Sequence, residues 1–489
     1  MTVMQKWRES WTPARLGEPL EDGSVRCHLS PRKCVIKEGR NGFCGVRGNR
    51  NGQLVTMNYG KSVHLTEETI ETEAVNHFAP GERILSLGNL GCMMNCVYCH
   101  NWKTSQAKYA DDRDVHSYTP EQIIETAKRH GIRVLSWTYN DPVVWHEFVL
   151  ETSRLAKKEG ITTLYKSAFF IGPEAVEELI PVIDIFSISL KSIDHEYYRR
   201  YTTGELQPVL DATKMVHKAG KHLEVSTLMI TDISDDEDSA RKIAQWVLDD
   251  LDTNVPLHYV RFHPDYKMRN TVRTPISRLI RAREIALGMG VKHVYLGNVY
   301  DTPHTNSTCR NCGTLLVDRY GLRSQSIGLN DEGSCTKCGA PANTVMMPAP
   351  EKPRQKVTHF SGNPAKLEKH MWGGDIQSIH VQAQNTADQP RNVYHRTILS
   401  GGGETDWTVI PFLPGESFRF IIARSGIDDI GAEVAISEGV ELKHAEVFDR
   451  AHFPTLSVED IGAAENDVTP FPHFEGNQFP TKAKVKEVQ

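Results

Sequence analysis

The pattern of the chain predicts an α/β protein, a partial (β/α) barrel of parallel strands with helices outside, followed by a small β-sandwich. Two features carry the prediction. From about residue 80 to residue 300, short apolar runs alternate with helical segments; after residue 366, strand-like runs follow one another across glycine-rich turns. The runs of the first region fall at 84–87, 132–137, 162–166, 185–190, 223–230, 257–262 and 293–296. Clear punctuation marks the helices between them. Thr119 reads as an N-cap, Pro120 as the first helical position, Gln122 as the partner in a capping box and Gly131 as the stop. Gly160, Gly220 and Gly290 end helices ahead of strands in the same way. In the second region the runs lie at 376–382, 393–399, 407–412 and 418–423 with no convincing helix between them, which suits a β-sandwich.

A chain of 489 residues exceeds one ordinary domain, and two to four are expected. The divisions predicted are an N-terminal cysteine-containing segment at 1–78, loop-rich in its glycine- and arginine-rich stretch, and the barrel core at 79–300. A four-cysteine module follows at 301–345, then a proline-rich linker at 346–365, the sandwich-like domain at 366–460 and a disordered tail at 461–489. A net charge of −6, with 39% hydrophobic and 24% charged residues, reads as soluble and argues against general binding of nucleic acid or anionic membrane. Neither a transmembrane stretch nor the apolar core of a signal peptide is present, so a cytoplasmic protein is expected.

The ten cysteines fall into three groups with none left over. Short spacings in a reducing compartment favour metal sites over disulfides. Cys92, Cys96 and Cys99 form a C-x3-C-x2-C loop straight after the first barrel strand, with Tyr98 before the last thiol. Iron–sulfur clusters usually take four thiolates. Three leave one iron of a [4Fe–4S] cube open to an outside chelate, a place that the amine and carboxylate of S-adenosylmethionine (SAM) can fill. Cys309, Cys312, Cys335 and Cys338 make two C-x2-C knuckles, and four thiolates in a tetrahedron suit zinc, with an auxiliary iron–sulfur cluster as the other possibility. Cys27, Cys34 and Cys44 are a tentative metal set, for zinc or an auxiliary cluster with His28 as a possible further ligand, or else a degenerate site of packed thiols. His370, His380 and His395 match no metal spacing and read as surface residues.

The cysteine loop resembles that of the radical SAM superfamily. The segments CHLSPRKCVIKEGRNGFCGVRGNRNG, GCMMNCVYCHNW, TYNDP, SLK, RFHPDYKM, YLGN and the pair TCRNCG/CTKCG resemble, in that order, the radical SAM enzyme of the AmmeMemoRadiSam system, a relative of pyruvate formate-lyase activating enzymes. The likeness spans roughly residues 27–340 and leaves the C-terminal β domain outside. It implies a TIM-like radical SAM barrel and reductive cleavage of SAM at the cluster to a 5′-deoxyadenosyl radical, which abstracts hydrogen from a substrate. That substrate is either a small molecule or, for a glycyl-radical-enzyme activase, a partner protein, and a flavodoxin- or ferredoxin-type electron donor is expected. By the same resemblance Asn140 and Asp141 of TYNDP hold the SAM amino group, Lys191 reaches a carboxylate, and Tyr98 and His263 stand near the cofactor.

The sequence departs from these relatives at several points. Ser189 stands where an aspartate is usual, Lys166-Ser167-Ala168 replaces a threonine–asparagine–glycine, and Ser30 replaces a cysteine. The bland readings are a helix-capping Asp141, a solvated Lys191 and a structural His263. A second function class is a non-catalytic zinc-binding scaffold.

Overall fold

The computed structural model describes residues 7–449, apart from 113–114, 300–301, 352–354, 359, 361–366, 374–375, 401–402 and 424–428. The tail expected at 461–489, the last residues of the expected β domain and part of the expected linker lie outside the described residues.

Eight strands build the core: β1 (His64–Thr69), β2 (Arg83–Gly88), β3 (Val134–Thr138), β4 (Thr162–Ser167), β5 (Ile185–Leu190), β6 (His222–Met229), β7 (Leu257–Arg261) and β8 (Val294–Gly297). From β2 to β8 all neighbours are parallel and in sequence order. The helices Pro120–Arg129, His146–Lys158, Pro173–Leu179, Leu206–Lys218, Glu237–Asp250 and Ile276–Met289 make the crossovers. This is the partial barrel expected, with strand bounds within two residues of the runs read from sequence. The first crossover helix carries the expected capping box, Thr119 accepting from Gln122 N–H and Gln122 reaching back. Gly131, Gly160, Gly220 and Gly290 stand at positive φ where their helices stop.

The N-terminal segment, loop-rich as expected, also contains short strands. Arg47–Arg50 and Gln53–Thr56 form a hairpin joined by Thr12–Pro13, and Gly17–Pro19, Val25–Cys27 and Val35–Ile36 form a second small sheet. Asn51 (φ 56°) and Gly52 (φ 72°) turn the hairpin. An Asn-Gly pair at positive φ fits the two-residue turn whose twist matches its strands, so the signal was present in the sequence.

The C-terminal region is two packed sheets. Strands β9 (Glu368–Gly373), β10 (Ile376–Asn385), β11 (Arg391–Leu399), β12 (Trp407–Phe412), β13 (Ser417–Ala423), β14 (Asp429–Ile436) and β15 (Val440–Asp449) build them. β12, β11, β14 and β9 lie side by side with Lys356–Val357 at the edge of β12, while β13, β10 and β15 form the facing layer. Alternate residues of both layers, among them Ile379, Val381, Phe418, Phe420, Ile410, Phe412 and Val434, are buried between them.

One pairing was not legible in the sequence. β1 runs antiparallel to β2 and parallel to β13, so barrel and sandwich share a single eleven-stranded sheet. Side chains reinforce the seam: Arg129 and His130 meet Glu416 at 2.6 and 3.3 Å, and His130 stacks on Phe418 at 4.1 Å.

The N-terminal segment is fastened by charge. The Arg47 guanidinium donates to both oxygens of Glu147 at 2.9 Å, and both groups are almost wholly buried. Removing one partner of a buried pair leaves the other uncompensated, at a cost of roughly 3–5 kcal/mol. Arg47→Met should therefore lower the unfolding free energy by about that amount in urea titration. A loss below about 1 kcal/mol would show that the pair is screened like a surface bridge.

Candidate functional site

A cavity of about 590 Å³ opens at the carboxyl ends of the barrel strands and continues into the barrel. Residues of the N-terminal segment, the barrel, the four-cysteine module and the sandwich line it. The cysteine loop supplies Cys92, Cys96, Tyr98 and Cys99, and the barrel supplies Asp141, Lys166, Lys191 and His258. Glu68 and Glu73 come from the N-terminal segment, Arg319 and Leu322 from the four-cysteine module, and His380 and Phe448 from the sandwich.

The loop after β2 is held from all sides. Gly91 (φ 85°) passes so close to the N-terminal segment that an added Cβ would lie 2.7 Å from the Cys44 carbonyl oxygen. Asn58 donates to the carbonyls of Leu90 and Val144, bracing the loop against the turn after β3. Arg32 donates to the Met93 carbonyl, and Asn95 and Val97 donate their N–H groups to the carbonyls of Thr202 and Tyr201. All three thiols are half-buried in the cavity wall. Burial pushes them up, Cys96 to about 12, while the Lys191 ammonium pulls Cys96 and Cys99 the other way. Thiols so placed carry a thiolate only if a cation compensates it, which suits coordination to iron.

The other residues singled out from the sequence are placed as follows. Tyr98 is buried in the cavity wall. Asn140 lines the cavity, but its amide is engaged, donating to the Asn89 carbonyl at 2.5 Å and accepting from Thr104 Oγ1 at 3.0 Å. Asp141 caps the turn Pro142–Trp145 through Val143 N–H and also accepts from Ser167 Oγ and Ala168 N–H, both at 2.7 Å. Burial raises its carboxyl, and these donors work against the rise. Lys191 lines the cavity beside the thiols. His263 stands behind the wall, stacked on His100 at 3.6 Å, and burial pushes it down to about 2. Of the two rings, His100 is the one lining the cavity.

Several lining residues escaped sequence reasoning. His380, expected at the surface, packs on Phe448 at 4.5 Å in the cavity wall, and burial pushes it down to about 3. Its place is set by the sheet shared with the barrel, which no local pattern announces. Lys166 and His258 face the cavity because alternate residues of β4 and β7 point inward.

The four-cysteine module contains the strands Ser307–Thr308, Leu315–Tyr320 and Arg323–Ser326. Its two knuckles are alike: Gly313 and Gly339, at φ near 70°, follow Cys312 and Cys338 and donate to the carbonyls of Cys309 and Cys335. The four ligand atoms all lie within 4.8 Å of one another, the one such group of three or more among the described residues. The Thr314 hydroxyl and backbone N–H draw Cys312 down to about 6, ready to bind as thiolate. Cys27, Cys34 and Cys44 surround a separate small cavity with Ser30, Arg32 and Arg47. His28 bonds Glu18 at 2.8 Å and is not among the residues around it.

The radical SAM superfamily model matches residues 86–247. An uncharacterized protein of Methanocaldococcus jannaschii is 37% identical over 330 residues, which are 67% of this chain and 98% of that protein. The chain belongs to the radical SAM superfamily of enzymes. Pyruvate formate-lyase 1-activating enzyme of Escherichia coli (strain K12) is 25% identical over 176 residues, 35% of this chain and 70% of that enzyme. Among solved structures, a domain of the pyruvate-formate lyase-activating enzyme from Bacteroides vulgatus matches with a TM-score of 0.30 and 15% identity, covering 33% of this chain and 97% of that one. Membership implies SAM and an iron–sulfur cluster. None of the helices among the described residues is long and apolar enough to cross a membrane.

An ion held by the four cysteines contributes folding free energy. A strong chelator should therefore lower the unfolding temperature of the native protein and leave a Cys309→Ser/Cys335→Ser variant, already destabilised, unchanged. Equal melting of native protein with and without chelator would remove the ion from the site.

Proposed function

We propose that this radical SAM enzyme binds a [4Fe–4S] cluster through Cys92, Cys96 and Cys99 and acts on a small molecule held in the barrel. The observation that carries this reading is that three thiols, the Asp141 carboxylate and the Lys191 ammonium line one cavity, whose wall includes no other cysteine among the described residues. Held by Cys92, Cys96 and Cys99, such a cluster would supply the electron for reductive cleavage of SAM to methionine and a 5′-deoxyadenosyl radical able to abstract hydrogen from carbon.

The chain's own residues hold and orient. A carboxylate offers about four acceptor positions, and the three donors on Asp141 leave one for an N–H of the SAM amine. Lys191, whose ammonium has no partner among the described residues, suits the SAM carboxylate. Tyr98 packs beneath the loop and Asn140 braces it, both positioning roles. The four-cysteine module and the sandwich add walls above the barrel, which favours a small molecule over a loop of a glycyl-radical partner. An electron donor of flavodoxin or ferredoxin type would supply the reductant, and a cytoplasmic setting suits ten free thiols. Zinc fits the four-cysteine module as a structural ion. Cys27, Cys34 and Cys44, whose sulfurs do not all lie within 4.8 Å of one another, suit a degenerate site of packed thiols better than a zinc site.

Single alanine variants at Cys92, Cys96 and Cys99 should each lose the cluster's iron and reductive SAM cleavage, read by iron analysis and 5′-deoxyadenosine formation. Full iron content with unchanged cleavage in all three would overturn the assignment. Lys191→Met should keep the iron and weaken SAM binding roughly 10- to 100-fold, the worth of a charge-assisted hydrogen bond. Equal affinities in a spectral titration would leave Lys191 a bystander.

A further inference from the structure

The interior of a (β/α) barrel is ordinarily filled by branched aliphatic side chains. Here a polar belt crosses four adjacent strands. Lys166 on β4 pairs in register with Ser187 on β5, Ser189 with Ser226 on β6, and Ser226 with His258 on β7. Lys166, Ser189, Ser226 and His258 all line the cavity below the cysteine loop. Polar groups at this depth are costly unless they are bonded, so the groups with spare capacity indicate what the belt is built to receive.

The acids are already served. Glu73 accepts from Ser136 and Thr138, Glu68 from Tyr139 and Thr72, and the one Ser86 O–H is shared between them. Glu224 accepts from the N–H groups of Asn76 and His77 and from His222 and His258. Two groups are not. The Lys166 ammonium donates to Ser187 Oγ and Ser226 Oγ, both at 3.0 Å, which uses two of its three N–H bonds. His258 Nε2 meets Glu224 at 2.7 Å, and its Nδ1 has no partner among the described residues. Glu224 is held well below the usual carboxylate range against its burial, by bonds from His222 and His258. As an anion it accepts the Nε2–H, so Nδ1 carries the lone pair.

We propose that the barrel interior beneath the cysteine loop is a binding site for a small hydroxylated carboxylate, whose carboxylate takes the Lys166 ammonium and whose hydroxyl donates to His258 Nδ1. The site rests on the radical SAM reading above and names the substrate class for that same cavity. One lysine balances one negative charge. On the belt a phosphate dianion would have the Lys166 ammonium as its one counter-charge, with the Glu224 anion close behind His258. A cationic ligand there would meet the Lys166 ammonium and find Glu68, Glu73 and Glu224 already engaged by protein donors. Ser226, bonded to Lys166 and neighbouring His258 across the strands, aims the ammonium.

The test is calorimetric titration of the full-length protein, with and without reconstituted cluster and SAM, using D-glycerate, propionate and ethanolamine. Glycerate should bind, propionate, which lacks the hydroxyl, should bind about tenfold more weakly, and ethanolamine should not bind. Lys166→Met and His258→Phe should each weaken glycerate about tenfold with SAM affinity unchanged. Ethanolamine in preference to glycerate, no probe binding at all, or equal glycerate affinity in folded variants would overturn the site. The ranking of the three probes on the native chain decides the matter even if a variant fails to fold. A preparation that takes up no iron yet ranks the probes as expected supports the site and overturns the radical reading. Intact SAM cleavage with no ranking does the reverse.

Discussion

Three carboxylates, Glu68, Glu73 and Glu224, are buried inside the barrel, and an isolated ionised carboxylate there would be prohibitively costly. Much of the molecule is arranged to meet that constraint. The Ser86, Ser136 and Thr138 hydroxyls occupy inward positions of β2 and β3 where aliphatic side chains would otherwise pack, and each donates to Glu73. The chain reversal at 70–77 enters the barrel to bring Glu73 inward and to offer the N–H groups of Asn76 and His77 to Glu224. Burial raises the Glu73 carboxyl to about 7, with the neighbouring Glu68 charge acting in the same sense, so the interior carries less charge near neutral pH than its residue count suggests.

The same constraint ties the modules together. Segment 64–77 serves the barrel interior while β1 pairs with β13, so it belongs at once to the core and to the seam with the sandwich. Arg319 of the four-cysteine module donates to the Asn76 carbonyl, and Val345 exchanges backbone bonds with His77 and Ala79. Arg133 and Glu82 join the base of the barrel by a close ion pair. Segment 64–77, the four-cysteine module and the sandwich all contribute to the cavity wall, so its shape is set by their docking.

Much of the barrel was legible because local rules act on it strongly. Helices bounded by Thr119, Pro120 and glycines at positive φ, and strands of contiguous apolar residues, leave few alternatives. The cysteine loop was legible for a chemical reason, since three thiols at that spacing after a strand have few uses. The short N-terminal strands were hidden by their brevity, although Asn51-Gly52 marked one hairpin. His380 was misplaced because exposure is decided by what a strand packs against, and nothing near it in sequence says that β13 pairs with β1.

The sequence by itself therefore determined the element types and order of the barrel and the three cysteine sets, because helix caps, strand periodicity and thiol spacing are local properties of the chain. Only the tertiary structure decided that Asp141 answers to Ser167 and Ala168, that Lys166 and His258 face one cavity across Ser226, and that Phe448 and His380 close it. The physical reason is that these relations depend on sheet register and on burial. Both are settled by contacts between residues tens to hundreds of positions apart, where the balance of desolvation against hydrogen bonding is set by the assembled fold.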